Sequence, residues 1–219
     1  MNRTTLRITG LDDASVQQAY KNLRTNLTFL APTAHVIAVT SSQVGEGKTT
    51  VAMGLSKSLS DIQKKTLLAD ADFRGSSMSG YTSPTSPTGL VKILEGRIEW
   101  QDSVQPTQYQ NLDILTTTAT TAVPQELLSM AEFPAFIQEV REAYDYVIID
   151  TPAMETALDA AIIGAHCDGV LIVVATDSGI THQDVKNTVA ELERCGSKVI
   201  GLTQNDTGAN RKNKKPTRG

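Results

Sequence analysis

Between Ser41 and Thr50 the chain reads SSQVGEGKTT, and the residues that could do chemistry start here. Gly45 and Gly47 let the backbone turn so that successive N–H groups converge, and a helix starting just behind them would add the positive end of its dipole. Together these make a nest for a polyphosphate. Lys48 supplies a cation for the outer phosphates. Thr49 offers a hydroxyl to Mg²⁺, an ion that takes oxygen ligands and usually keeps several waters. Gly45, Glu46, Gly47, Lys48, Thr49 and Thr50 are therefore read as the cradle of a phosphate loop. One letter departs from the G-x-x-x-x-G-K-[ST] pattern: Ser42 stands at the first glycine, where a small residue still permits a tight turn.

Carboxylates recur at matching places. In KTLLADADFR, Lys65 to Arg74, the run Thr66 to Ala69 reads as a buried strand with Asp70 and Asp72 at its C-terminal end, where open parallel sheets bind ligands. A phosphate-bound Mg²⁺ would give both a partner. Tyr146-Val-Ile-Ile-Asp150 is an apolar strand ending in a carboxylate, which would deliver Asp150 beside the phosphate loop to hold a water on Mg²⁺. Thr49, Asp70 and Asp150 are the candidate metal ligands, and Lys48, Asp70, Asp72 and Asp150 the candidate catalytic set. Asn205, past a final strand, could pair its amide with the edge of adenine or be an ordinary turn residue.

The elements that must position these residues alternate. Residues 13 to 30 set Val16, Tyr20, Leu23, Leu27 and Leu30 on one stripe, an amphipathic helix with Asp12 or Asp13 near its N-cap, packed on its own domain or on a neighbouring subunit. A strand over His35 to Thr40 precedes the loop, and a helix over Val51 to Leu59 follows it. Residues 75 to 111, rich in Ser, Thr, Gly and Pro, read as a mobile loop holding a short helix, Leu90 to Leu94. Then come a strand at Leu112 to Leu115 and helices near Gln125 to Met130 and Phe133 to Ala143. Beyond Asp150 the pattern is helix Thr156 to Ala165, strand Gly169 to Ala175, helix His182 to Cys195 and strand Lys198 to Leu202. The fold expected is α/β, a doubly wound, mostly parallel sheet with helices on both faces, the P-loop NTPase fold. Three regions follow: an N-terminal helix region (1–30), an ATP-binding domain (31–206) and a basic, disordered tail (207–219).

Composition sets bounds. The 219 residues, 40% apolar and 20% charged, suit one soluble α/β domain. Arg211, Lys212, Lys214, Lys215 and Arg218 carry +5, so the formal net charge of −4 leaves −9 on residues 1–210. A body that acidic is unsuited to nucleic acid, which calls for a basic face. The tail either meets an anionic membrane or acidic partner, or is simply solvated. No apolar run approaches the length of a membrane span, and MNRTTLRITG lacks the apolar core of a signal peptide, so a cytoplasmic location is expected. Cys167 and Cys195 follow no metal or redox spacing and read as free core thiols; His35, His166 and His182 read as structural.

With SSQVGEGKTT, LLADADFR and YVIIDTP in this order, the chain resembles the bacterial tyrosine kinases (BY-kinases) of capsule and exopolysaccharide systems. The likeness runs from Ala19 to Asn205 and includes AYKNLRTNLTF, VPQELL at 123 to 128 and GVLIVV at 169 to 174. The apolar run followed by D-x-D-x-R is its most diagnostic part. Gln43 stands where septum-site and plasmid-partition ATPases carry a second lysine. The resemblance implies transfer of the γ-phosphate of ATP to tyrosine, with Lys48 and Thr49 on phosphate and Mg²⁺ and Asp70 or Asp72 as the base. It also implies a ring of copies and a separate membrane-spanning activator, a polysaccharide co-polymerase, that recruits the kinase to the inner face of the plasma membrane. The competing reading is an ATP-binding switch subunit of such a partner, without kinase activity. Two departures stand out. The family's E-x-x-R-x-x-R pattern appears as Gln18, Lys21 and Arg24, and no tyrosine follows Tyr146 where the family carries a C-terminal acceptor cluster. Tyr81 and then Tyr109 read as the most accessible phenols; Tyr20 and Tyr146 read as core.

Overall fold

The computed structural model describes residues 3–83, 89–117, 120–176 and 179–206. Its centre is a seven-stranded sheet in the order β3-β4-β2-β5-β1-β6-β7. The strands are β1 (Val36–Ser41), β2 (Thr66–Asp70), β3 (Gln105–Pro106), β4 (Leu112–Leu115), β5 (Tyr146–Asp150), β6 (Gly169–Ala175) and β7 (Val199–Asn205). All pairings are parallel except that of β3 with β4. Every residue of β1, β2 and β5 is buried, as their near-continuous apolar runs require of strands covered on both faces. Alternate side chains then build two cores. On one face Ile37, Val39, Leu68, Ile148 and Leu171 pack against Val51, Leu55 and Leu59 of α2 (Lys48–Ser60). On the other, Val36, Ala38, Leu67, Ile149 and Ile172 meet Phe133, Phe136 and Val140 of α6 (Glu132–Ala143) and Ala161 and Ile163 of α7 (Asp159–Ala165).

α1 (Ala14–Leu30) starts where Asp13 caps it, accepting the N–H of Ser15 at 2.7 Å. Its stripe is covered unevenly. Leu27 is buried, Val16, Tyr20 and Leu23 are half-buried, and Leu30 is 73% exposed. The helix packs on α2, so its C-terminal end overruns the surface it covers.

The region 75 to 111 departs from the mobile loop expected of it. Met78–Gly80 forms a 3-10 turn, and α3 (Leu90–Leu94) and α4 (Trp100–Ser103) lead into the antiparallel edge strand β3. Thr4 and Leu6 bridge to Thr107 and Thr82, so the N-terminal segment stitches this region down. Such short pieces, held by pairing with distant backbone, carry no periodicity of their own. Part of the Ser/Thr/Pro run (84–88) and the basic tail (207–219) lie outside the described residues. Further along come α5 (Pro124–Leu128) and α8 (His182–Arg194), the latter closed by a Thr181–Asp184 capping box. β7 runs on to Asn205, which makes that residue the end of a strand and not a turn.

Candidate active site

The phosphate loop joins β1 to α2. Gly45 and Gly47 sit at φ 87° and 84°, the left-handed region that glycine enters without strain. Gly47 is needed twice over, because a Cβ there would lie 2.0 Å from Nδ2 of Asn205. That same Nδ2 donates to the Glu46 carbonyl at 3.0 Å, so the end of β7 braces the loop. The Glu46 carboxylate is committed to the scaffold as well. Its Oε2 accepts the Gln43 N–H at 2.8 Å and its Oε1 the Ala175 N–H at 3.0 Å, tying the loop to β6. Ser42, at the motif's first glycine, uses its hydroxyl to accept from Thr188 of α8 at 2.8 Å. Behind the loop, the segment after β5 is zipped on by Met154 N–H to Ser41 carbonyl (2.9 Å), Glu155 N–H to Ser42 carbonyl (3.0 Å) and Val44 N–H to Glu155 Oε1 (2.6 Å). These ties hold the loop's shape before any ligand arrives.

β2 and β5 lie side by side with Asp70 opposite Asp150. The Thr49 hydroxyl donates to Asp150 Oδ2 at 2.6 Å. Asp150 Oδ1 is buried and has no hydrogen-bond partner among the described residues. Burial, reinforced by the Asp70 charge, pushes the Asp150 carboxyl up to about 8. Burial likewise raises Asp70 to about 6, against the bonds its oxygens accept from the Ser76 hydroxyl and the N–H groups of Asp72 and Thr117. Asp72 is half-buried, and its two loop bonds, from the N–H groups of Arg74 and Gly75 at 3.2 Å each, both fall on Oδ1.

No group of three or more His, Cys, Asp or Glu side chains in metal-holding geometry occurs among the described residues. Mg²⁺ does not ask for one: it is usually bound by one or two carboxylates with waters and substrate phosphates. The bare, buried oxygen of Asp150 beside the Thr49 hydroxyl fits such an ion, which would favour the ionised carboxylate that burial otherwise disfavours.

The structure therefore brings Lys48, Thr49, Asp70, Asp72 and Asp150 to one end of the sheet, around the C-terminal ends of β1, β2 and β5. Asn205 also lines a cavity between α1 and the end of β7, with Val16, Tyr20, Val51, Thr203 and Asp206. Sequence reasoning missed Ser76, Thr117, Glu155, Asp159 and Thr188, which hold the site residues but belong to no motif of their own. The tyrosines are less open than an accessible acceptor would suggest. None of the five tyrosines is exposed, and Tyr81 and Tyr109 are half-buried against the α2-side core. Tyr81 is fixed because its carbonyl accepts the Arg7 N–H at 2.8 Å. Tyr20 is half-buried, not core, and its hydroxyl donates to the Thr50 carbonyl at 3.2 Å.

Comparison with known proteins bears on this arrangement. The protein family described as an AAA domain matches residues 34–198. Tyrosine-protein kinase CpsD of Streptococcus agalactiae is 35% identical over 208 residues, covering 94% of this chain and 90% of that protein. Tyrosine-protein kinase YwqD of Bacillus subtilis is 31% identical over 207 residues, covering 94% and 86%. Among solved structures, the kinase domain of the Escherichia coli tyrosine kinase ETK superposes with a TM-score of 0.84 at 27% identity, over 94% of this chain and 82% of that one.

Proposed function

The chain belongs to the bacterial tyrosine-protein kinases, and from that premise we propose that it transfers the γ-phosphate of ATP to tyrosine in a Mg²⁺-dependent reaction that regulates capsule or exopolysaccharide synthesis. The observation that carries this reading is the Asp150 carboxylate, held on one oxygen by Thr49 and bare on the other, next to a pre-braced phosphate loop. The loop amides and Lys48 bind the phosphates and neutralise the charge that develops in transfer. Thr49 and Asp150, with Asp70 behind them, would hold Mg²⁺, whose charge adds to that neutralisation when the ion is bound.

Of the two candidate bases, Asp72 is favoured. Asp70 has both oxygens engaged by Asp72, Ser76 and Thr117, and it is fully buried. Asp72 is half-buried, with its loop bonds confined to one oxygen, which leaves the other to accept the tyrosine proton. Asn205 braces Glu46 and lines the cavity between α1 and the end of β7, which would take the base of ATP. Asp72→Asn should slow transfer sharply while ATP still binds with an unchanged Mg²⁺ requirement, and Asp150→Asn should shift that requirement. Mg²⁺ titrations of ATP binding for Asp70→Asn, Asp72→Asn and Asp150→Asn test this division; identical curves with wild-type activity would refute it.

No helix among the described residues is long and apolar enough to cross a membrane. On the family resemblance alone, we propose that a separate membrane-spanning activator, a polysaccharide co-polymerase, brings this kinase to the inner face of the plasma membrane. Copies of the chain assemble weakly by the family's α1 pattern. Gln18 bonds to Asn22 of its own helix at 2.9 Å, and Arg24 to the Ser58 carbonyl of its own α2 at 2.6 Å, leaving Lys21 exposed.

A further inference from the structure

The loop that carries Asp72 ends in an anchor. Arg74 donates from Nε to Oδ2 of Asp159 at 2.9 Å and from Nη2 to Oδ1 at 3.3 Å, a two-pronged contact. The Asp159 side chain is wholly buried, while that of Arg74 is 40% exposed. A carboxylate with no water access depends on its cationic partner, and a planar guanidinium holds it in one orientation where an ammonium would not.

Both ends of this pair are tied to the reacting groups. Arg74 is also the residue whose backbone N–H points at Asp72 Oδ1, so the guanidinium that grips Asp159 fixes the amide that grips Asp72. Asp159 opens α7, and the segment leading to it from Asp150 is the one zipped to the phosphate loop through Met154 and Glu155. The chain of contacts thus runs from phosphate loop to Asp159, to Arg74, to Asp72. Two loops that meet nowhere else by a charged contact among the described ion pairs are locked by this one.

We propose that Arg74 and Asp159 are positioning residues for phosphoryl transfer, a fork that sets where the Asp72 carboxylate stands relative to a phosphate held in the loop. The inference rests on the kinase reading of the site. Neither residue needs to touch ATP. Their effect belongs to the transfer step, where displacement of a reacting group by about 1 Å can cost roughly 100-fold.

The test measures ADP release by the full chain with ATP and Mg²⁺, with and without a Glu/Tyr copolymer as acceptor, for wild type, Arg74→Lys and Asp159→Asn. Arg74→Lys keeps the charge and loses the fork. Expected is a fall in kcat of about 10- to 100-fold, with KM for ATP and the Mg²⁺ midpoint for binding a fluorescent ATP analogue within about twofold of wild type. In an Asp72→Asn background, Arg74→Lys should bring no further loss, since the group it positions is gone. Should a single variant fail to fold, Arg74→Gln/Asp159→Asn removes both charges and leaves no stranded carboxylate; it should show the same fall in kcat. Wild-type kcat in folded Arg74→Lys, a loss that adds to that of Asp72→Asn, or a raised KM with unchanged kcat would each overturn the proposal. Failure of the kinase reading looks different: ADP release then persists and responds to these variants, but no phosphotyrosine forms on the copolymer. A wild type that releases no ADP at all overturns both.

Discussion

Lys48 heads α2 inside the phosphate loop with 8% of its surface exposed, so it meets a phosphate largely desolvated. A charge-assisted contact of that kind contributes about 1.5 to 3 kcal/mol, and Lys48→Met should lower turnover by roughly tenfold to more than a hundredfold. Steady-state kinetics with nucleotide-binding measurements check this; unchanged binding and turnover would remove the phosphate-loop assignment. Asp150 yields a prediction in the opposite direction. An unfolded aspartate titrates near about 3.9, whereas burial and the neighbouring Asp70 push Asp150 up to about 8 in the fold. Between those values the native chain retains a proton that the unfolded chain has lost, so stability falls as pH rises through the window. Asp150→Asn removes the penalty. Without nucleotide, the variant should melt higher than wild type at about pH 8, and the gap should close toward about pH 4. Thermal melts at both pH values decide it, and a variant less stable at the higher pH contradicts the burial argument.

At the scale of elements, the docking of α1 on α2 depends on the absence of one side chain. A Cβ on Gly54 would lie 2.1 Å from the Tyr20 ring. Gly→Ala inside a helix ordinarily gains about 1 kcal/mol. Here it should displace Tyr20, break its hydroxyl bond to the Thr50 carbonyl and reverse the sign. Urea unfolding of Gly54→Ala should show net destabilisation, which Gly54→Ala/Tyr20→Ala partly restores; a stabilised single variant would show that α1 shifts freely. This contact also marks where the sequence stopped being legible. The buried strands β1, β2, β5 and β6 were readable because both-face burial writes an apolar run, and the site residues at their ends followed from strand direction alone. The helix stripe of α1 was readable, but not that Leu30 would overrun the surface below it. The bridges of Thr4 and Leu6 were not, because their partners lie about 100 and about 75 residues away and only the tertiary fold brings them together; β3, Gln105–Pro106, is too short to write a pattern of its own. Glu46 and Asn205 were recognisable as site residues, yet their bracing bonds to Ala175 and Gly47's neighbour depend on which strands end side by side.

For the whole molecule, the open matter is where phosphate goes. Every tyrosine is at least half-buried, and the segment from 207 to 219 holds no phenol. Removing residues 209–219 should therefore leave any phosphotyrosine signal intact. A self-phosphorylated residue, if one forms, is Tyr81 or Tyr109, reached by loosening the strap of residues 4 to 8; otherwise the acceptor is another protein. Phosphopeptide mapping after incubation with ATP and the proposed activator checks this, and phosphate confined to Tyr20 or Tyr146 would contradict it. The central claim, that this chain is a kinase for tyrosine, is tested most directly by following phosphotyrosine on a Glu/Tyr copolymer with purified chain, ATP and Mg²⁺, with and without the proposed activator. The account predicts time-dependent phosphotyrosine that Lys48→Met lowers roughly tenfold or more and that Asp72→Asn sharply reduces. ATP consumed at the wild-type site with no phosphate appearing on tyrosine would contradict it.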